Sequence, residues 1–205
     1  MEQIRNYFVE HNKVMEQVVA ELLPTLEGVA TLIIDCLAKG NKLLVMGNGG
    51  SAADAQHLAA ELVGRFVIER RALPAIALTT DSSILTAVGN DYGFDEIFQR
   101  QIQALAQPGD VVLGISTSGN STNVLKALVT AGERGCVSVG LLGCDGGKIA
   151  PGVDLALTVP STITAHVQEV HIVMIHLFCL LVDEAFVSGV LSGASAKKEI
   201  IDEQS

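Results

Sequence analysis

The sequence contains no tryptophan and only two tyrosines, so large aromatic side chains cannot be the main filling of its core. Yet 49% of the 205 residues are hydrophobic, which leaves Ala, Val, Leu and Ile as packing material. That composition suits a parallel sheet covered by helices on both faces. Positive charge is also scarce: 13 Lys and Arg stand against 23 Asp and Glu, a net charge of -10. Proteins that hold nucleic acid through its phosphates need clustered basic residues, so no nucleic-acid partner is expected. The four cysteines (Cys36, Cys136, Cys144, Cys179) include no CxxC pair and lie in apolar segments. They read as buried reduced thiols rather than disulfides or metal ligands. The most apolar stretch, "VHIVMIHLFCLLV" (170–182), ends at Asp183 and Glu184. It falls short of the roughly 20 residues needed to cross a bilayer. The opening "MEQIRNYFVEHNK" mixes charges from its second residue, unlike a signal peptide. The expectation is a soluble, cytoplasmic protein with no membrane partner, whose length fits one domain.

What the sequence does contain is alternation. Two helical patterns come first, "IRNYFVEHNKVMEQVVAELLPTL", interrupted by Pro24, and "LEGVATLIIDCLAKGNK", stopping at Gly40 and Asn41. Five short apolar runs follow: 42–47, 75–79, 110–116, 137–143 and 154–159. Each is short enough for a strand and continuous enough to be buried on both faces. Helical patterns lie between them at 52–66, 94–106 and 121–134, and a long final helix is expected over about 163–187. Strand–helix alternation of this kind predicts an α/β fold with a doubly wound parallel sheet.

Ligands of such sheets bind beyond the carboxyl ends of the strands. Two loops there stand out: "GNGGSA" (47–52) after the first strand and "STSGNST" (116–122) after the third. Glycines permit close backbone approach, and Ser116, Thr117, Ser118 and Ser121 offer hydroxyl donors without charge. Neither loop matches GxGxxG or GxxxxGK[ST]. The pair suits a small phosphorylated ligand better than a nucleotide, although tight turns alone would account for either loop singly.

Beyond the first loop, His57 and Glu61 are four residues apart and share a helix face. Such a pair can be a salt bridge, a metal-ligand pair or a proton-transfer pair. The final helix carries a second polar group in "HVQEVHIVMIH". Gln168, Ile172 and His176 form one ridge, while His171 lies about 140° around the helix from His176. The two histidines therefore cannot serve one compact site. Periodicity does not choose between them, and Glu169 shares a face with His176 about as well as Gln168 does.

"GNGGSAADAQHLAAEL", "VGNDYGF", "GISTSGNSTNVLKAL" and "VQEVHIVMIH", in that order, resemble the sugar isomerase (SIS) family, and within it the phosphoheptose isomerases. The resemblance runs from the N-terminal helices to about residue 187. It implies one SIS domain over 1–187, a five-stranded parallel sheet flanked by helices, with helices of about 1–40 packing on or between subunits. Residues 188–205 are left as a flexible tail. The implied activity is aldose–ketose isomerisation of sedoheptulose 7-phosphate to D-glycero-D-manno-heptose 7-phosphate, the first step towards ADP-heptose for lipopolysaccharide. The implied assembly is a cytoplasmic homotetramer with active sites at subunit interfaces and one zinc ion, Zn(2+), per subunit.

Carried over by motif, His57, Glu61, Gln168 and His176 would ligate the metal, which leaves His171 structural. Glu61 would be the catalytic base and His176 the acid. Asn48, Gly49, Gly50 and Ser51 would contact the sugar, with Glu61, Gln168, Asn90 and Asp91. Ser116, Thr117, Ser118 and Ser121 would hold the phosphate. Arg65, one turn after Glu61, would add positive charge or form a surface salt bridge. The chain departs from the family at "TAHVQE", where "ADRIQE" is common: Ala165 replaces an acid and His166 an arginine. Asp54 and Asp91 are the available substitute acids. A rival reading comes from "RALPAIALTTDSSILTAV", which resembles a non-catalytic SIS scaffold that binds the replication initiator DnaA. That relative lacks the counterpart of Glu61. A third class, sugar-phosphate sensors, usually carries an extra DNA-binding domain.

Overall fold

A computed structural model describes residues 1–191. Two helices open the chain, α1 (Glu2–Glu21) and α2 (Leu23–Ala38), bent 72° from one another. Pro24 sits at the start of α2, where its missing N–H costs nothing. Gly40, at φ 81°, ends that helix in the left-handed conformation a side chain would resist. The sheet consists of β1 (Leu43–Gly47), β2 (Ala75–Ala77), β3 (Val111–Ser116), β4 (Val137–Gly143) and β5 (Leu155–Val159). All pairings are parallel and the strand order is β2-β1-β3-β4-β5.

Helix α3 (Gly50–Val63) follows β1, α4 (Ser82–Asp91) follows β2, and α5 (Gln99–Leu105) precedes β3. The remaining helices are α6 (Thr122–Glu133) and the 24-residue α7 (Thr164–Val187). Residues of β1 alternate between the two cores. Leu43 and Val45 join α2, α3 and α7 on one face, while Leu44 and Met46 join α5 and α6 on the other. This is the doubly wound sheet expected from the alternation of strands and helices.

Three details differ from the sequence reading. Helix α4 was not expected: its apolar face is short, Leu85 and Val88 only partly buried against the core, and the helix fully buries no residue. A start signal was nonetheless present: Asp81 caps the helix by accepting from Ile84 N at 2.9 Å. The segment expected as one helix over 94–106 is a 3-10 turn, Phe94–Glu96, followed by α5. Residues 188–191, grouped with the tail, fold back instead: Leu191 is buried and its N–H donates to Ala185 O at 3.2 Å. The rest of that tail, 192–205, lies outside the described residues.

Helix α7 is longer than its apolar stretch suggested and is the one single helix among the described residues long and apolar enough to cross a bilayer. Half of its most apolar window is buried inside the fold, where it packs on α2 and α3. The cysteines are free thiols; Cys36, Cys136 and Cys179 are buried and Cys144 is half-buried.

Candidate active site

Strands β1 and β3 are neighbours, with Gly47 opposite Ile115, yet the chain leaves them in opposite directions across the sheet. Their carboxyl ends therefore frame a crevice into which both glycine loops open. The loops are tied together. Asn48 and Asn123 exchange a reciprocal pair of amide hydrogen bonds, both 2.9 Å. Asn123, buried at the start of α6, also accepts from Val124 N at 2.9 Å. Sequence reasoning missed Asn123, because only the pairing of β1 with β3 brings it to Asn48.

In the first loop, Gly49 at φ 58° turns the chain into α3, and Ser51 is buried. In the second, the Ser116 and Ser121 hydroxyls lie 2.9 Å apart. Ser121 occupies the N-cap of α6 without bonding its own helix, so its hydroxyl faces Ser116 instead. Ser118 is exposed and accepts from Asn120 N at 3.2 Å. Half-buried Thr117 uses its carbonyl to accept from Cys144 Sγ at 3.6 Å. The loop thus sets the Ser116–Ser121 hydroxyl pair at the N-terminus of α6, an environment that favours a bound anion.

Helices α3 and α7 run side by side in the same direction, and they bring the polar residues together. His57 Nε2 lies 3.1 Å from His176 Nε2 and 3.5 Å from Glu61 Oε1. The Phe66 ring stacks on His176 at 5.7 Å between centroids. Gln168 sits against Gly50: a Cβ there would come within 2.4 Å of Gln168 Nε2. Thus His57 stands between Glu61 and His176, and Gln168 lies at the start of the same helix pair, against the first glycine loop.

The set fits zinc. Two imidazole nitrogens at 3.1 Å approach the edge of about 3.3 Å in a tetrahedron built on Zn–N bonds of about 2.0–2.1 Å. To complete a four-ligand site, Glu61 would have to turn inwards with its carboxylate and Gln168 would add a neutral amide oxygen.

Asn90 and Asp91 end α4 and are exposed; Asn90 Nδ2 donates to Asp91 Oδ1 at 2.8 Å rather than to either loop. Arg65 is also exposed and pairs with Glu69 at 3.7 Å. Of the two substitute acids, Asp54 is the one that stands on the face of α3 bearing His57 and Glu61. Its Oδ2 is buried without a partner, and burial raises its carboxyl above the usual range against the opposing pull of His57.

The histidines of α7 are sorted cleanly. His171 is fully buried, with Nε2 donating to Leu142 O at 3.0 Å, and burial pushes its pKa down to about 4. His166, in the arginine position of the family motif, is buried beneath Tyr7 and bonds Glu169 at 3.0 Å. Glu169 thus points to α1 and leaves the α3 side to Gln168. Among the described residues, the three acid or histidine groups whose ligand atoms all fall within 4.8 Å of one another are His11, His166 and Glu169.

Sequence reasoning also missed Arg70 and Asp183. Arg70 Nε donates to Asp183 Oδ1 at 2.8 Å, and its other nitrogens donate to Glu61 O at 2.8 Å and Leu62 O at 2.9 Å. Asp183 Oδ2 accepts from Val67 N and Ile68 N at 2.9 and 3.1 Å. Burial raises the Asp183 carboxyl, but Arg70 and the two N–H donors outweigh it and hold the pKa below the usual range. This buried lock fixes the chain leaving α3 and holds the backbone of Glu61. The one available signal was an acid following a long apolar run.

Known proteins place this geometry in context. Residues 6–143 match the SIS domain family model. A phosphoheptose isomerase of Geotalea daltonii is 62% identical over 184 residues, covering 90% of this chain and 96% of that protein. The structure of phosphoheptose isomerase GmhA from Neisseria gonorrhoeae superposes with a TM-score of 0.85 at 46% identity, covering 89% of this chain and 98% of that one. A phosphoheptose isomerase from Francisella tularensis gives 0.87 at 38% identity, covering 89% and 97%. With its five-stranded parallel sheet and its polar residues gathered between α3 and α7, the chain belongs to the SIS-domain sugar isomerases, in the phosphoheptose isomerase family.

Proposed function

We propose that the protein converts sedoheptulose 7-phosphate to D-glycero-D-manno-heptose 7-phosphate through an enediol(ate), as the first step towards ADP-heptose for lipopolysaccharide. The observation that carries this reading is the placement of His57 between Glu61 and His176, beside the crevice between the two glycine loops. Names of relatives at about 60% identity support the substrate.

The phosphate sits on Ser116, Thr117, Ser118 and Ser121, where hydroxyls and the N-terminus of α6 offer donors to an anion. The sugar extends to Asn48, Gly49, Gly50 and Ser51. Aldose–ketose exchange needs a base at the carbon beside the carbonyl and an acid at oxygen. Glu61 takes the carbon proton, and its backbone is held by Arg70. His176, stacked on Phe66, delivers a proton to oxygen. Gln168 orients the sugar hydroxyls. His57, Glu61, Gln168 and His176 would hold one zinc ion, which would polarise the carbonyl and offset negative charge on oxygen; with Nε2 of His176 on the metal, its transferable proton would be the one on Nδ1.

The working form is a cytoplasmic homotetramer with sites completed at subunit interfaces. Two features support that assembly. Ile4 and Phe8 of α1 are exposed by 60% and 62%, and Tyr92 and Phe94 beyond α4 by 59% and 64%, more apolar surface than an isolated chain needs. Asn90 and Asp91, beside that surface, lie on an exposed helix end. They join a site once a neighbouring subunit covers it.

The test is turnover of sedoheptulose 7-phosphate by the purified protein, with and without zinc. Glu61→Gln should lower kcat by about 10²–10⁴-fold, the usual worth of a general base, with an unchanged circular dichroism spectrum. A wild type inactive under both conditions that captures DnaA would overturn the proposal in favour of the scaffold.

A further inference from the structure

The site between α3 and α7 leaves unexplained a second polar cluster, at the start of α7 where α1 packs on it. His11 Nδ1 lies 2.6 Å from Glu169 Oε2, and His166 Nδ1 lies 3.0 Å from that same oxygen. Tyr7 donates its hydroxyl to the other oxygen, Oε1, and its ring packs on His166 with centroids 4.5 Å apart. Two imidazoles therefore present the same ring nitrogen to one carboxylate oxygen, and without a cation each nitrogen must carry a proton to be bonded there.

We propose that His11, His166 and Glu169 form a second metal site, binding one divalent transition-metal ion such as zinc where α1 meets the start of α7. Two neutral imidazoles and one carboxylate are a familiar donor set for zinc, with a fourth position left to water. All three ligand atoms already lie within 4.8 Å of one another, so modest side-chain rotation brings each to a bond of about 2.0–2.2 Å. Tyr7 fixes the carboxylate by occupying Oε1, the kind of outer hydrogen bond that orients metal ligands. His166 is 1% exposed, whereas His11 and Glu169 are 24% and 35% exposed. The site thus has a rigid inner ligand and an open outer side through which an ion enters. The bound ion would cross-link residues 158 apart in sequence, pinning α1 to α7.

Equilibrium dialysis of the full-length protein against zinc, with metal content measured per chain, tests this directly. Wild type should bind two zinc ions per chain, and H57A/H176A should keep one. Zinc should raise the Tm of H57A/H176A, since binding to the folded state alone stabilises it. Adding His11→Ala to that variant should weaken the remaining zinc by about 100-fold or more and remove the rise in Tm. His11 lies on the half-exposed face of α1, so its truncation spares the core; H11A/E169Q is the second variant and should bind only one zinc. Wild type binding a single zinc that H57A/H176A abolishes would overturn the second site and leave the first intact. Wild type binding a single zinc that His11→Ala abolishes would do the reverse.

Discussion

The parallel pair α3–α7 has an open end and a locked end. At the open end, Gln168 leans on Gly50 and the half-exposed His57 faces His176. At the locked end, Arg70 and Asp183 have side chains only 0% and 3% exposed, and every bond they make goes to protein. The same two helices thus carry partly exposed polar groups at one end and a buried, fully bonded ion pair at the other. Burial with full hydrogen bonding gives rigidity. Partial exposure with unmatched donors and acceptors leaves capacity for a substrate or metal.

The sharpest way to break the comparison is to cut the lock. Arg70→Ala leaves Asp183 buried without its cation and frees the carbonyls of Glu61 and Leu62. A loss of about 3–5 kcal/mol in unfolding free energy is expected from denaturant titration. A change under about 1 kcal/mol would mean that the α3–α7 pair is held elsewhere.

A second measurement uses His171, which faces the sheet from the middle of α7. Its folded pKa is about 4 against an ordinary 6.5. As pH falls through that window the unfolded chain takes up a proton that the folded protein refuses, so stability declines with acid. The loss from pH 6.5 to 4 should be on the order of 3 kcal/mol. His171→Gln, which keeps a donor for Leu142 O, should flatten the slope. The depressed carboxyls of Asp183 and Glu169 act lower: their stabilisation is complete above the ordinary values of 3.8 and 4.5 and is lost below them.

The mildest perturbation addresses the open end. Gly50→Ala meets the amide of Gln168 first, so it should displace that side chain and lower kcat/KM about tenfold, equivalent to about 1.4 kcal/mol. Unfolding free energy should change by less than about 1 kcal/mol. Lost stability with unaltered kcat/KM would reverse the roles assigned to the two ends.

Much of this was legible in the chain. The five apolar runs became the five strands because residues buried on both faces leave a continuous signal. Helix α4 escaped because its apolar face is only one short patch, Leu85 and Val88, and its Asp81 cap was the clearest start signal. The candidate catalytic residues were visible as polar interruptions of apolar helices. The long-range contacts were not: Asn123 meets Asn48 from 75 residues away, Arg70 meets Asp183 from 113 and Tyr7 meets Glu169 from 162.

By itself, then, the sequence determined the layered α/β fold, the two glycine loops and the face of α3 that carries His57 and Glu61, since these follow from local periodicity and turn chemistry. Only the tertiary structure decided that α7 turns His176 and Gln168 towards α3, His171 towards the sheet, and His166 and Glu169 towards α1. A helix fixes the angles between its own side chains, but what each one meets depends on the elements packed around it.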